Sequence, residues 1–238
     1  ISMALPKLTV PKYKLKLPSD NRTVTYRPFL VKEEKLLLLA TETGQQEDIV
    51  NAISEIIKEC TDITDVRTLA TFDIEYVFLQ IRTKSVGENV EVNVVCPDDD
   101  ETEVQVSIPL DEIKVKKTRG HKTEIKLDEN VIITMGYPDL NTFVKMNFQE
   151  DGDQLQQIFD MAATCVQTIS DENQIYECKD VSKKELSEWF EQLNSKQFGE
   201  IQKFFETMPK LSHTVKVTNP NTGKENDIVI EGLASFFA

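Results

Sequence analysis

The chain has 238 residues, with 27 basic and 41 acidic side chains and a formal net charge of −14 at pH 7. Hydrophobic residues make up 39% of the sequence, and no run approaches the roughly 20 apolar residues that a membrane-spanning helix needs. The composition excludes disordered, collagen-like, coiled-coil and disulfide-scaffold chains, and it predicts a folded, acidic protein without a membrane span.

Positive charge is concentrated in residues 1–35, which contain eight basic and three acidic side chains, and the rest of the chain is strongly acidic. Three lysines in this segment alternate with aromatic or apolar residues: Lys12, Lys14 and Lys16. Two interpretations stay open, a basic arm that docks on an acidic partner and the polar face of a half-buried strand. Nucleic-acid binding is not expected, because the acidic remainder repels phosphate.

The N-terminal third predicts a hairpin followed by three helices. The hairpin spans residues 13–27, with a turn at 18–21. A short buried helix is predicted over 32–40 and ends near Gly44, and a second helix is predicted over 46–60. A third helix is expected over 73–84, where Asp73 or Thr71 is placed to cap the first turn.

The middle of the sequence predicts antiparallel strands. Charged residues and valines alternate over 88–96, and a turn at 97–100 leads to a returning strand over 104–108. Shorter strands are expected over 112–116, 123–127 and 131–135.

The last third predicts helices and a final hairpin. A short helix begins near Asp139, and apolar spacing predicts a longer one over 153–169. Ser182 and Glu185 form a capping box for the next helix, and another helix follows over 195–208. Strands over 214–217 and 227–230 then pair across a turn at 219–223.

We therefore expect an α+β protein with helices at both ends of the chain, a central antiparallel β region and two knuckle-like β-hairpins. The predicted units are 1–87, a hairpin plus helices; 88–138, a β-rich region; and 139–238, a helical region that ends in a hairpin. A single compact unit is the alternative.

Local signatures of catalysis are absent from the sequence. No glycine-rich phosphate loop, nucleophile elbow or zinc-protease motif occurs. We expect His121 to be a solvated turn residue and His213 to be structural, so no catalytic residue and no cofactor is predicted.

The four cysteines include no C-x-x-C pair, and Met3 is taken as the natural start without a secretion signal. We therefore expect reduced thiols, with Cys60 and Cys165 on apolar helix faces.

The two predicted turns share a layout that resembles a zinc knuckle, in which two thiolates project from a tight hairpin turn. The four ligand positions are occupied by Cys96, Asp99, Asn219 and Thr222. Because tetrahedral zinc is usually held by thiolates and imidazoles, these positions predict hairpins of knuckle shape without a metal. The aspartates at 98–100 lack the spacing of a calcium loop, so a solvated turn is expected there.

Several ordered blocks carry a resemblance to a known family: Leu5-Pro6-Lys7, YRPFLVKEEK at 26–35, FDIEYVFL at 72–79, RTKSVGE at 82–88, and EGL at 231–233 with Phe236 and Phe237. Together they are similar to the baseplate hub family of T4-like bacteriophages. The resemblance implies a non-enzymatic protein that helps to build the hub of the tail baseplate. Its partners would be hub proteins. It would act in the host cytoplasm during assembly or reside in the virion baseplate.

Two roles stay open under this resemblance, an assembly factor that leaves and a permanent subunit of the virion. The candidate partner-binding residues are Phe236, Phe237, Lys12, Lys14 and Lys16. The aromatic residues of the last two helices supply either a binding groove or anchor, or simply the core under the C-terminal hairpin: Trp189, Phe190, Phe204 and Phe205. An enzyme with an unrecognised site is the least favoured alternative, and the sequence does not determine the oligomeric state.

Overall fold

The fold was obtained as a computed structural model, which describes residues 8–148 and 154–232. It starts with the antiparallel hairpin of β1 (Tyr13–Lys16) and β2 (Thr23–Tyr26). Leu15 and Val24 lie opposite each other and are both buried. This hairpin is the one predicted over 13–27, and its strict alternation buries one face and exposes the other.

Three helices follow: α1 (Val31–Thr43), α2 (Gln46–Cys60) and α3 (Thr71–Val86). α1 ends at Gly44, whose φ of +63° favours glycine. α2 buries the predicted apolar stripe, and α3 is buried around most of its circumference, as expected of a central helix. Neither Thr71 nor Asp73 caps α3: the N-cap is Ala70, and the Asp73 carboxylate instead accepts a hydrogen bond from the backbone N–H of Ser19 at 3.0 Å.

α1 begins around a buried carboxylate. Glu33 is 3% exposed, and its Oε1 lies 2.8 Å from Nη2 of Arg27. The other oxygen accepts a hydrogen bond from the backbone N–H of Leu30 at 2.8 Å, and Lys32 Nζ lies 3.2 Å from Oε1. Burial by itself raises the pKa of Glu33, but the hydrogen bonds from Arg27, Leu30 and Lys32 outweigh it and lower the pKa to about 2. The ion pair therefore ties the hairpin to the first turn of α1.

The middle of the chain is β-rich, as predicted. It contains β3 (Asn89–Val95), β4 (Glu103–Pro109), β5 (Lys114–Lys116), β6 (Glu124–Lys126) and β7 (Ile132–Met135). The remaining elements are α4 (Leu140–Phe148), α5 (Gln154–Cys165), β8 (Val166–Ser170), β9 (Ile175–Glu177), α6 (Lys183–Phe190), α7 (Ser195–Thr207), β10 (Lys210–Thr218) and β11 (Glu225–Glu231).

The strands form small antiparallel sheets. β1 pairs with β2 and β3 with β4 as two-stranded hairpins. A three-stranded sheet has the order β11-β10-β5, and a four-stranded sheet has the order β6-β7-β8-β9. In the three-stranded sheet, Leu211 of β10 lies opposite Val115 of β5. This pairing joins segments that are far apart in the sequence.

Two hydrophobic clusters underlie these sheets. The larger one joins the N-terminal hairpin, the first three helices, β3, β4 and the β10–β11 hairpin. The smaller one lies between the four-stranded sheet and the helices α5, α6 and α7. The connection from β5 to β6 passes from the first cluster to the second.

The mixed α+β class is confirmed, and three finer predictions are not. Among the described residues, hairpins rather than helices are the elements nearest both chain ends. The helix predicted to continue to residue 169 ends at Cys165, because the β-branched residues that follow pair as β8 with β7 and β9. α1 is not fully buried, since Leu38 and Leu39 are 59% and 52% exposed. The division into 1–87, 88–138 and 139–238 stays a prediction.

Candidate functional site: two joined hairpin turns and an exposed lysine row

The first turn closes the β3–β4 hairpin. The carbonyl of Cys96 accepts a hydrogen bond from the backbone N–H of Asp100 at 2.9 Å, and Asp100 has a φ of +54°. Asp99 Oδ1 accepts the backbone N–H of Thr102 at 3.0 Å, and Thr102 Oγ1 donates to Asp99 Oδ2 at 2.5 Å. The short side chain of aspartate thus completes the turn by bonding backbone groups ahead of it.

The second turn closes the β10–β11 hairpin and has a similar layout. The carbonyl of Asn219 accepts the backbone N–H of Gly223 at 2.8 Å, and Gly223 has a φ of +73°. Asn219 Oδ1 accepts the backbone N–H groups of Asn221 and Thr222 at 2.8 and 3.2 Å. In both turns the fifth residue therefore takes up the left-handed conformation that favours glycine, asparagine or aspartate.

The structure brings these two turns into direct contact, although more than a hundred residues separate them. Asn219 Nδ2 donates to Asp98 Oδ1 and to Asp99 Oδ2, each at 2.9 Å. Thr222 Oγ1 donates to Asp98 Oδ2 at 2.5 Å, and Asn226 Nδ2 donates to Asp98 Oδ1 at 2.9 Å. We call the joined segments 96–102 and 219–226 the turn clasp.

A further hydrogen bond joins the two turns, from a side-chain amide to a hydroxyl group. Asn221 Nδ2 donates to Thr102 Oγ1 at 2.9 Å, the same hydroxyl that donates to Asp99. Asn219 is fully buried, and both ends of its side-chain amide have partners. The turn clasp is therefore a satisfied polar network, the kind that fixes one arrangement of the elements it joins.

The electrostatics of the turn clasp favour ionised aspartates and a protonated thiol. Hydrogen bonds from Thr222, Asn219 and Asn226 lower the pKa of Asp98, and those from Thr102 and Asn219 lower the pKa of Asp99. Burial, together with the neighbouring Asp98 and Asp99 carboxylates, raises the pKa of the Cys96 thiol. Cys96 is 0% exposed and is not a ready thiolate ligand at neutral pH.

Three of the four knuckle positions, Asp99, Asn219 and Thr222, thus make direct hydrogen bonds to the opposite turn or within their own turn. Across residues 8–148 and 154–232, no group of three or more His, Cys, Asp or Glu side chains is arranged to hold a metal ion. That these positions hold no metal stays a prediction.

Asp98 accepts hydrogen bonds from three side chains of the opposite hairpin, and the knuckle comparison did not single it out. The comparison aligned Asp99 with a ligand position and treated Asp98 as part of a solvated turn. The sequence offers one signal, an aspartate directly after a proline at a hairpin tip. That signal does not predict the partners of Asp98, because Asn219, Thr222 and Asn226 approach only through the tertiary fold.

The three N-terminal lysines lie on one exposed face. Lys12, Lys14 and Lys16 are exposed, whereas Leu15 and Leu17 between and beside them are buried. None of the three lysines forms an ion pair with any side chain that the structure describes. Lys14 and Lys16 lie on the exposed face of β1 that the alternation predicted, and Lys12 lies one residue before that strand; we call the three residues the lysine row. Phe236 and Phe237 lie outside the described residues.

The aromatic residues of the last helices belong to the core. Phe190, Phe204 and Phe205 are 1%, 2% and 9% exposed and pack in the smaller hydrophobic cluster, with Trp189 beside them. They therefore lie under the four-stranded sheet and not, as one interpretation placed them, under the C-terminal hairpin, whose buried residues belong to the larger cluster.

The two histidines differ in their surroundings. His121 is not simply solvated: it is half-buried, its Nδ1 lies 2.9 Å from Thr207 Oγ1, and its Nε2 lies 3.1 Å from Tyr137 Oη. Because the Thr207 hydroxyl donates to the carbonyl of Lys203 at 2.6 Å, it accepts from Nδ1–H, which leaves Nε2 to accept from Tyr137. His213 lies in β10, with its Nε2 3.8 Å from Glu112 Oε2.

All four cysteines are free and buried: Cys60, Cys96, Cys165 and Cys178. Burial raises the pKa of Cys60 to about 11 and that of Cys165 to about 12. In the described part of the chain, no helix has the length and apolar character needed to cross a bilayer.

Comparison with known proteins identifies a family. The family model described as T4 bacteriophage base plate protein matches residues 10–238. Searches of curated proteins and of solved structures found no significant match. Because the family model covers nearly the whole chain, including both turns of the turn clasp and the lysine row, this protein belongs to the T4 bacteriophage base plate protein family.

Proposed function

We propose that the protein helps to assemble the hub of the phage tail baseplate by binding hub proteins, as a chaperone-like factor that catalyses no reaction. The observation that carries the proposal is the family match over residues 10–238.

The lysine row is the proposed contact surface. Alternate residues of a strand repeat at about 6.6 Å on one face, so Lys14 and Lys16 of β1 carry positive charge on the same exposed face, and Lys12 directly precedes the strand. Lysines that form no ion pair with the described side chains, as these three do not, attract an acidic surface of another protein and speed up the encounter. The row therefore suits a hub protein that carries a strip of acidic side chains. Phe236 and Phe237 are proposed as a second, apolar contact.

The test is co-expression of this chain with each hub protein of the same phage, followed by affinity purification and quantitation of the bound partner. The variant Lys12→Glu/Lys14→Glu/Lys16→Glu reverses the charge of the lysine row. A matched control, Lys58→Glu/Lys179→Glu/Lys196→Glu, makes the same charge change at exposed lysines elsewhere. We expect the first variant to lose most of the bound hub protein, and the control to retain it.

A second arm replaces Phe236 and Phe237 by alanine, and a third raises the salt concentration. Electrostatic binding weakens as salt rises, because the Debye length falls from about 10 Å at 0.1 M to about 3 Å at 1 M. If hub proteins co-purify equally well with wild type and every variant, and at every salt concentration, the proposed mechanism is wrong.

A permanent structural subunit of the virion is the second candidate, and the family description as a base plate protein favours it. The two candidates differ in where the chain is found. An assembly factor acts in the host cytoplasm and is absent from finished particles. Mass spectrometry of purified, intact particles would detect this chain at a fixed ratio to other baseplate proteins if it is a permanent subunit.

A further inference from the structure

A second concentration of positive charge lies in the acidic part of the chain. Residues 114–126 contain six lysines and arginines and one acidic residue, Glu124. All six basic side chains are exposed: Lys114, Lys116, Lys117, Arg119, Lys122 and Lys126. Counting charges in short windows along the sequence reveals this basic segment. The total charge of all residues after 35 does not reveal it, because the many acidic residues there outnumber these six cations.

The segment connects two sheet edges. It begins in β5, the edge strand of the three-stranded sheet, and ends in β6, the edge strand of the four-stranded sheet. Lysines on edge strands also discourage pairing with other sheets, which accounts for Lys114, Lys116 and Lys126. Protection of edge strands does not account for Lys117, Arg119 and Lys122, which lie in the connecting loop.

The connecting loop is held in place and is not a free tether. Gly120 has a φ of +85°, which allows the sharp turn before His121. The His121 ring is hydrogen-bonded to Thr207, the last residue of α7, and to Tyr137; it stacks on the Tyr137 ring and contacts the Phe204 ring at a tilt. The loop cations are thereby presented at fixed positions on the surface.

Two more lysines from distant parts of the chain extend the same surface. Lys210 of β10 lies directly opposite Lys116 of β5. Lys203 of α7 lines a concavity of about 400 Å³ together with Lys122 and Lys126. We call these eight residues the basic surface: Lys114, Lys116, Lys117, Arg119, Lys122, Lys126, Lys203 and Lys210.

The basic surface lacks acidic partners within the fold. None of its eight side chains forms an ion pair within residues 8–148 and 154–232, and the recorded contact of Lys116 is with the Thr214 hydroxyl at 3.4 Å. Like charges directly opposite in an antiparallel pair destabilise it, so the Lys116–Lys210 pair is unfavourable in the isolated chain. An acidic ligand that lies across the two strands would remove this repulsion.

We infer that the basic surface binds an acid-rich segment of another polypeptide. Charge complementarity supports this assignment, because a chain of net charge −14 groups eight cations, none of which forms an ion pair in the described part of the chain. Glu124 and Glu200 lie among the cations of the concavity. They favour a polypeptide of mixed sequence over a nucleic acid, whose phosphates carry negative charge at every step.

This inference rests on the proposed protein-binding function and adds a second surface to it. The test uses a fluorescein-labelled peptide of about 15 glutamates, a neutral glycine–serine peptide and a single-stranded DNA oligonucleotide of similar charge, each titrated with the full chain. Fluorescence anisotropy measures binding. We expect the glutamate peptide to bind, the neutral peptide not to bind, and the DNA to bind more weakly than the glutamate peptide.

The loop variant Lys117→Glu/Arg119→Glu/Lys122→Glu changes three exposed side chains away from the strands. Three lost attractions and three new repulsions are expected to weaken peptide binding by at least about tenfold. The control is the Lys58→Glu/Lys179→Glu/Lys196→Glu variant, which is expected to bind within about threefold of wild type. Circular dichroism and thermal unfolding of both variants verify that they are folded.

Equal peptide binding by the loop variant and wild type would overturn the assignment, as would no binding of the glutamate peptide to wild type. Tighter binding of the DNA would make nucleic acid the ligand instead. A dimer in analytical ultracentrifugation that the loop variant abolishes would make a second copy of the chain the occupant. Because the peptide assay contains no hub protein, its failure would leave the co-purification result with hub proteins standing.

Discussion

Replacing Asn219 by alanine removes the centre of the turn clasp. The Asn219 side chain donates to the carboxylates of Asp98 and Asp99, each at 2.9 Å, and accepts the backbone N–H groups of Asn221 and Thr222. Hydrogen bonds to charged groups contribute roughly 1.5–3 kcal/mol each and neutral ones about 1 kcal/mol. Since the two carboxylates are half-buried, water replaces part of the lost interaction. We expect the free energy of unfolding to fall by about 2–4 kcal/mol.

The assay is urea unfolding at neutral pH, followed by circular dichroism. Asn221→Ala is the matched control, because it removes one part-buried, uncharged hydrogen bond to Thr102 and is expected to lose about 1 kcal/mol. Asn219→Asp is the complementary variant. It adds a third carboxylate beside Asp98 and Asp99 and is expected to be at least as destabilising as the alanine variant at neutral pH. A loss below about 1 kcal/mol for Asn219→Ala would show that contact between the turns does not stabilise the fold.

Three further predictions concern titratable groups. The pKa of Glu33 is about 2, against an ordinary value of 4.5, and this difference corresponds to about 3 kcal/mol of stability. That stability is present above pH 4.5 and is lost as the pH falls toward 2. The Glu33→Gln variant is therefore expected to lose about 2–3 kcal/mol in urea unfolding at pH 7. Burial lowers the pKa of His121 below its ordinary 6.5, so the unfolded chain takes up the proton first and the wild type loses stability as the pH falls through 6.5. Unfolding curves between about pH 8 and pH 5 are expected to show a steeper loss for wild type than for His121→Gln. The four buried thiols are expected not to react with Ellman's reagent in the folded protein and to react fully in guanidinium.

Each of these predictions has a control or a contradicting outcome. Glu34→Gln changes an exposed neighbour of Glu33 and is expected to shift stability by about 0.5 kcal/mol or less, so an equal effect of the two variants would contradict the role given to the Arg27 ion pair. Parallel pH profiles of wild type and His121→Gln would show that the histidine is no more buried than in the unfolded chain. Rapid labelling of Cys60 or Cys165 under native conditions would show that their helix faces are open to solvent.

The family membership shown over residues 10–238 agrees with the resemblance that ordered sequence blocks carried, at the level of the baseplate. The hub, the chaperone-like role and the contact residues remain proposals. The blocks at 26–35 and 72–88 coincide with structurally demanding positions, since the first holds the Arg27–Glu33 ion pair and the second holds most of the central helix α3.

Local conformation followed from local sequence in most of the chain. Alternation predicted β1, β3 and their partners, and apolar spacing predicted α2 and α7, because burial of one face depends on a period that a few residues display. The capping box of Ser182 and Glu185 was likewise predictable, since both halves of it lie within one helical turn and form without help from the rest of the fold. The alternation of exposed lysines with buried residues in the lysine row was predictable from local sequence for the same reason.

Partners distant in the sequence were decided by the tertiary structure alone. Val166 and Ile169 fit an apolar helix face as well as a strand, and only pairing with β7 and β9 makes them a strand. The knuckle comparison concerned the residues within each turn, but the contact of Asn219 with Asp98 and Asp99 depends on how two hairpins pack on the shared hydrophobic cluster. A short-range pattern specifies which side chains are buried, and it carries no information about which distant side chains they meet there; that choice is made by the packing of the whole chain.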